Sequence, residues 1–148
     1  MIPRNGLIFL IFGGKVKKSY KFRVEFYDTD SMGVVWHGNY VKYCEMARCA
    51  FLREIGYTYI DMKNDGYAYP IVKMDFKFVR PAMFDDEICV SIDLLEFESL
   101  LKFGYKITNA KTGEILCKAH TAQAAVNIAT METCFYLPEV FKEKLKGL

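Results

Sequence analysis

The order of the apolar patterns constrains the fold of this chain most strongly, because one long helical pattern is followed by four strand patterns in succession. Apolar residues recur at spacings of three and four over residues 40–55, and Gly56 then supplies a helix stop. Four alternating strand patterns follow, over residues 72–78, 88–94, 101–107 and 115–128. The turns between them are too short for crossover helices, so the strands are predicted to pair mainly antiparallel.

One further strand pattern precedes the helix and one short helix ends the chain. Residues 21–26 alternate between charged and apolar side chains up to Asp28, and Pro138 is a favoured residue for the first turn of a helix. The long helix is apolar on more than one face, which is typical of a helix wrapped by other structure. The order predicts an α+β fold with an antiparallel sheet curled around one central helix.

The length of 148 residues predicts a single domain, which we assign to residues 19–148. Residues 1–18 are predicted to form a loose N-terminal arm. Its apolar run, residues 7–12, is shorter than the apolar region of a signal peptide and far shorter than a membrane span. We therefore predict no membrane span.

Charge and cysteine content exclude several classes of function. The net charge is +2, and the basic residues are scattered along the sequence, so nucleic acid is not an expected partner. The five cysteines are odd in number and lack the spacing of a zinc site. They are typical of reduced thiols in a cytoplasmic protein, and no metal or other cofactor is expected.

The segment FYDTDSMGVVWHGNY, residues 26–40, concentrates the candidate chemistry between the first strand and the long helix. A calcium loop of the EF-hand type fails at Met32, where an oxygen ligand belongs, and at Asn39, where a glutamate should close the loop. A phosphotransferase that uses the two aspartates would need a parallel α/β sheet, and the strand order excludes one. Neither alternative is retained.

The remaining interpretations of this segment are a plain turn and an active site. Asp28 is interpreted as a turn former and Asn39 as the cap of the helix. Asp30 is the stronger candidate for chemistry, because the apolar residues that follow it would partly desolvate its carboxylate and raise its basicity. His37 lies just before the helix, where unpaired backbone amides could stabilise an oxyanion. A structural role for the His37 side chain remains open.

At this point the residues resemble a known family. The segment VEFYDTDSMGVVWHGNYVKYCEMARCAFLREIG, followed by YPIVKMDFKFVRPAMFDDEICV, resembles the hotdog-fold acyl-CoA thioesterases of the 4-hydroxybenzoyl-CoA thioesterase class. It is most similar to the bacterial branch associated with the Tol-Pal envelope system. The likeness covers about residues 20–148 and rests on D-x-D-x-x-G-x-V, on N-Y at the helix start and on E-x-A-R within the helix.

The resemblance implies a hotdog fold, a five-stranded antiparallel sheet wrapped around one long helix, and hydrolysis of an acyl-CoA substrate. It also implies a homodimer or homotetramer with active sites at the dimer interface. By position, Asp30 matches the catalytic carboxylate, and His37 matches the residue whose backbone amide polarises the thioester carbonyl. The same match assigns substrate binding to five residues: Gly33, Val34, Val35, Trp36 and Tyr40.

The chain departs from this branch at one position of the loop. Members of this branch often have tyrosine where this chain has Phe26, so a catalytic tyrosine is either missing or replaced by Tyr27. Lys102 and Arg80 are candidates for binding the CoA phosphates. Two alternative functions on the same fold are a dehydratase acting on β-hydroxyacyl thioesters and a non-catalytic module that binds acyl thioesters or envelope proteins.

Overall fold

The computed structural model describes residues 16–146 and contains three helices and eight strands. The helices are α1 (Asn39–Glu54), α2 (Tyr59–Asn64) and α3 (Glu139–Lys146). The strands are β1 (Val16–Arg23), β2 (Tyr67–Ala68), β3 (Ile71–Phe78), β4 (Glu87–Glu96), β5 (Leu101–Asn109), β6 (Ile115–Gln123), β7 (Val126–Asn127) and β8 (Glu132–Thr133).

Five strands form one antiparallel sheet in the order β1-β4-β5-β6-β3. The prediction of an α+β hotdog fold, with an antiparallel five-stranded sheet around one long helix, is confirmed. Strands β1 and β3 lie at the two edges, and within residues 16–146 β3 pairs with β6 alone. The outer edge of β3 therefore has no strand partner among the described residues.

The inner face of the sheet packs against α1. Phe51 of α1 meets Phe103 of β5 edge to face, with ring centroids 5.4 Å apart, and both side chains are fully buried. Burying a side chain of this size stabilises the fold by about 1.5–3 kcal/mol. A broad apolar face on α1 was expected, and Tyr43, Cys44, Ala47 and Leu52 are also buried.

The first strand differs from its prediction at both ends. It begins at Val16 and ends at Arg23, and residues 26–28 form a 3₁₀ turn in place of the predicted strand end. The chain turns there because the Asp28 side chain accepts a hydrogen bond from the Glu25 amide, 3.0 Å away. Phe26 is consequently 75% exposed and contacts Phe84. Residues 1–15 of the predicted N-terminal arm lie outside the described part of the chain.

Two small elements were not predicted. Helix α2 begins after Thr58, whose side chain and that of Asp61 cap each other's backbone amides, a pattern that the sequence T-x-x-D could have revealed. The long pattern 115–128 breaks after Gln123, and its end pairs instead in a small sheet of order β2-β7-β8. No helix within residues 16–146 is long and apolar enough to cross a membrane.

Candidate functional site

The loop between β1 and α1 is anchored by the buried carboxylate of Asp28, which is only 2% exposed. This carboxylate accepts hydrogen bonds from the Glu25 amide at 3.0 Å, from the Tyr43 hydroxyl at 2.9 Å and from the Lys42 ammonium group. Burial alone would raise the pKa of Asp28, but the bonds from Lys42, Glu25 and Tyr43 together hold it below its ordinary value. Asp28 is therefore a charged anchor between the loop and the helix.

The backbone carbonyl of Asp28 completes this anchor. It accepts hydrogen bonds from the Trp36 amide at 3.0 Å and from the side-chain amide of Asn39 at 2.7 Å. The prediction that Asn39 caps the helix is wrong, because Gly38 is the N-cap residue and no side chain caps it. Asn39 instead ties the first turn of α1 to the start of the loop.

Asp30 lies in a tight turn two residues beyond this anchor. Its carboxylate oxygen Oδ1 accepts a hydrogen bond from the Met32 amide at 2.8 Å, and its backbone amide donates to the Val34 carbonyl at 2.8 Å. Gly33 has φ +79°, a left-handed conformation that strains other residue types, so the turn favours glycine here. Asp30 is exposed in the single chain, so the expected desolvation of its carboxylate requires a further covering surface.

The start of α1 presents backbone amides to the same region. Among residues 16–146, no group accepts a hydrogen bond from the amide of His37 or of Gly38, whereas the Asn39 and Tyr40 amides bond to the carbonyls of Trp36 and His37. A Cβ atom on Gly38 would come within 2.1 Å of the Trp36 ring, so glycine allows this ring to fold over the helix start. Free amides at a helix N-terminus favour a negative charge nearby.

The turn that carries Asp30 and the start of α1 at His37 line one open groove of about 310 Å³. Its lining consists of Asp30, Val34, Val35, His37, Tyr40, Phe78, Val79, Arg80 and Pro81. The segment after β3 is held against the loop because the Val35 amide donates to the Ala82 carbonyl at 2.9 Å. The Ala82 amide in turn donates to the Tyr40 hydroxyl at 3.0 Å.

The structure brings together most, but not all, of the predicted site residues. Asp30, His37, Val34, Val35 and Tyr40 line the groove, whereas Gly33 shapes the adjoining turn and Trp36 lies outside the lining and is 51% exposed. Tyr27 also lies outside it and is 78% exposed.

The groove wall that consists of Phe78, Val79 and Pro81 was not predicted from the sequence. No local sequence signal identifies it, because these residues reach the groove only through the pairing of β3 in the sheet.

The groove is mainly aromatic and aliphatic around its two polar features. The Phe78 ring lies 5.3 Å from the Tyr40 ring and 6.4 Å from the His37 ring, measured between centroids. Burial raises the pKa of Tyr40, so this residue stays a neutral phenol in the groove wall. Within residues 16–146, no cluster of three or more histidine, cysteine, aspartate or glutamate side chains is arranged to bind a metal ion. The groove thus combines apolar walls with the carboxylate residue Asp30 and with His37, whose backbone amide has no acceptor among residues 16–146.

Comparison with known proteins identifies similar chains over most of this length. The sequence profile of the Thioesterase-like superfamily matches residues 24–145. A provisionally named esterase of Aquifex aeolicus is 34% identical over 107 residues, which cover 72% of this chain and 83% of that protein. The acyl-CoA thioester hydrolase YbgC of Escherichia coli is 31% identical over 90 residues, or 60% of this chain and 67% of that protein.

A solved structure shares the fold. The crystal structure of a 1,4-dihydroxy-2-naphthoyl-CoA thioesterase from Synechocystis superimposes with a TM-score of 0.80 at 21% sequence identity. The superposition covers 90% of this chain and 98% of that one. At this level of identity the match demonstrates the common architecture.

Proposed function

The chain belongs to the Thioesterase-like superfamily, and on that premise we propose that it hydrolyses the thioester bond of an acyl-CoA substrate, releasing the free acid and CoA. The observation that carries this proposal is the groove that is lined by both Asp30 and His37, whose backbone amide has no acceptor among residues 16–146. Relatives named as acyl-CoA thioester hydrolases support the same activity.

Each feature of the groove has a role in this reaction. Asp30 either attacks the thioester carbonyl carbon or removes a proton from the water that attacks it. The carbonyl oxygen then gains negative charge, which the amides of His37 and Gly38 stabilise. Collapse of the tetrahedral intermediate breaks the carbon–sulfur bond and expels the CoA thiolate, a good leaving group that needs no metal ion. If water attacks, this step gives the free acid directly; if Asp30 attacks, it gives an anhydride between the acyl group and Asp30, which water hydrolyses to the free acid and the original carboxylate.

The apolar walls would hold the acyl group, and a cation at the mouth would hold the CoA phosphates. Arg80 lines the groove and forms no salt bridge with the described residues, so its guanidinium group is available. Lys102 is a weaker candidate, because its ammonium group lies 2.8 Å from Glu96. We therefore favour Arg80 for this role.

The proposed enzyme is a homodimer or homotetramer in which a second copy covers the groove. β3 has a free edge within the described residues, and Met74 and Phe78 on the inner face of this strand are 41% and 52% exposed. A second chain pairing along β3 would bury this apolar surface and exclude water from Asp30. The homodimer thus supplies the desolvation that the single chain lacks.

Two finer assignments are also proposed. The motifs of the loop and of α1 favour the branch associated with the Tol-Pal envelope system within the 4-hydroxybenzoyl-CoA thioesterase class. The five cysteines all carry free thiols, which supports a reducing, cytoplasmic location. The alternative function is a non-catalytic module that binds acyl thioesters or envelope proteins on the same fold.

The test is the release of free thiol from short-chain, long-chain and aroyl-CoA esters. We expect Asp30→Asn to lower kcat by at least about 10²-fold, the scale of a lost general base or nucleophile. His37→Ala should cost less than about tenfold if the backbone amide is the main contributor. Glu143→Gln removes an exposed carboxylate outside the groove and serves as the matched control.

Two results would contradict this proposal. Unchanged turnover by Asp30→Asn would exclude the role of its carboxylate, and the absence of cleavage of every ester by the parent protein would favour the binding module.

A further inference from the structure

The outer face of the sheet, opposite α1, carries a row of polar residues with one member on each of the five strands. The strand register aligns them directly across the sheet. In the order β1-β4-β5-β6-β3, the row consists of Ser19, Ser91, Lys106, Lys118 and Lys77. Three lysines that are distant in sequence therefore become neighbours.

This lysine row, Lys106, Lys118 and Lys77, contains no compensating acid. Neighbouring strands lie about 4.8 Å apart, and like charges directly opposite each other destabilise a sheet. None of the three ammonium groups forms a salt bridge with the residues that the structure describes. All three side chains are exposed.

The adjacent row on the same face differs, because it contains acids. Lys17 lies opposite Asp93 in the strand register, and the His120 Nδ1 atom lies 3.0 Å from the Asp75 carboxylate. This row therefore contains two acids, Asp93 and Asp75, whereas the next row carries three lysines and two serines and no acid.

Protection of a sheet edge does not account for the lysine row. Lysine on an exposed edge strand discourages pairing with other chains, which explains Lys77 on β3. Lys106 and Lys118 lie on β5 and β6, which are paired on both sides. Their juxtaposition has no such structural benefit.

A groove of about 260 Å³ spans part of this row and part of the adjacent one, and Lys77 lies outside its lining. Its lining includes Ser19, Ser91, Lys106, Lys118 and Lys17, and the two serine hydroxyls are hydrogen-bonded at 3.1 Å. Gly104, also in the lining, keeps the middle strand free of a side chain at this point. Asp93, the acid among the lining residues, lies opposite Lys17 in the register, but no salt bridge joins them, and the buried Asp93 Oδ1 atom has no hydrogen-bond partner among the described residues. The volume is slightly below the range of ordinary small-molecule pockets, so a compact ligand is indicated.

We propose that this groove binds a small phosphorylated anion between Lys106 and Lys118. A phosphate group carries enough charge to compensate both ammonium groups, and lysine binds phosphate well as a point charge. Serine hydroxyls supply further hydrogen-bond donors. The ligand is either a free polyphosphate or the nucleotide part of a larger molecule. This inference is independent of the proposed hydrolysis, because the groove lies on the outer face of the sheet.

The experiment measures binding of two probes to the full chain by isothermal titration calorimetry at low ionic strength. Pyrophosphate represents a free polyphosphate, and adenosine 3′,5′-bisphosphate represents a nucleotide. We expect the double variant Lys106→Gln and Lys118→Gln to bind the preferred probe at least about tenfold more weakly than the parent. The double variant Lys63→Gln and Lys111→Gln removes the same charge elsewhere, from exposed lysines outside the groove, and should change binding less than twofold.

Thermal melting of the same proteins provides a second measurement. Without ligand, the Lys106/Lys118 variant should melt at or above the temperature of the control variant, because a repulsive pair is removed. The preferred probe should raise the melting temperature of the parent but not of the Lys106/Lys118 variant. The proposal is overturned if neither probe binds the parent, if the control variant loses as much affinity, or if the Lys106/Lys118 variant melts clearly lower.

Discussion

At the scale of single residues, Asp28 and Asp30 have the same side chain and opposite environments. Asp28 is buried and held by three hydrogen-bond donors, whereas Asp30 is exposed in a tight turn beside the groove. A fully bonded carboxylate is a poor base, because its lone pairs are already used. These environments favour a structural role for Asp28 and support the proposal that Asp30 carries the chemistry.

The first prediction concerns the stability that Asp28 contributes. Asp28→Asn should lower the free energy of unfolding by about 1–3 kcal/mol at pH 7, because the amide leaves donors of the anchor poorly satisfied. The pKa of Asp28 is depressed in the folded protein, so its contribution is present above about pH 4 and is lost as the pH falls further. Urea denaturation of parent and variant at pH 7 and pH 3 measures this difference. An equal difference at both values would contradict an ionised anchor.

The second prediction concerns the contact between Gly38 and Trp36. Gly38→Ala should displace the Trp36 ring, since the added Cβ atom would come within 2.1 Å of it, and should disturb the free amides beside it. Trp36 is the only tryptophan of the chain, so intrinsic fluorescence reports on this ring alone. We expect an altered emission spectrum and at least about tenfold lower thioester turnover. An altered spectrum with full turnover would show that the position of the Trp36 ring does not affect the oxyanion site.

At the scale of elements, one buried arginine joins α1 to α2 and to the sheet. Arg48 of α1 is 3% exposed and donates to the Tyr59 hydroxyl at 2.7 Å and to the Tyr105 hydroxyl at 2.9 Å. It also forms a salt bridge with Glu45 one helical turn away. Glu45 and Arg48 are the charged residues of the motif E-x-A-R, and the register of β5 adds partners that the motif does not reveal.

The third prediction follows from this network. Arg48→Lys should destabilise the protein by about 2–4 kcal/mol, because an ammonium group cannot reach both hydroxyls and Glu45 at once. Arg53→Lys, at an exposed position of the same helix, is the matched control and should change stability by less than about 0.5 kcal/mol. Chemical denaturation of both variants provides the measurement. Equal effects would show that the network contributes little.

At the scale of the whole molecule, two features fit the proposed second copy of the chain: the edge of β3 that is unpaired among residues 16–146, and the open groove. The exposed apolar side chains of β3 lie on the inner face of the sheet, and Phe78 lines the groove. A second copy that pairs with β3 would cover both the exposed apolar side chains of this strand and the groove. Assembly and activity are therefore expected to be lost together.

The fourth prediction tests this coupling. Met74→Lys introduces a charge beside the free edge and should give a monomer in light scattering, with at least about tenfold lower thioester turnover. Ile60→Lys is the control, because Ile60 is 72% exposed but lies on α2 and not on β3. In light scattering, this control variant should keep a molecular mass of at least two chains. A parent protein that is itself monomeric and active would contradict the proposed assembly.

The sequence by itself determined the fold class, the central helix and the position of the loop that carries Asp30 and His37. These features depend on local periodicity, on Gly56 and on a motif, and all of them act within short stretches of chain. Local patterns failed where a side chain redirected the backbone, as Asp28 does at residues 26–28. The short helix after Thr58 was also not predicted from the sequence, although its capping pattern T-x-x-D is local.

Only the tertiary structure decided which distant residues became neighbours. Phe78 joins Asp30 along one groove, and Lys106, Lys118 and Lys77 form one row, because the register of the sheet fixes their positions. Register depends on contacts between strands that are far apart in sequence, and no short pattern encodes these contacts. Lysines that were scattered in the sequence therefore became a concentrated charge only when the sheet formed.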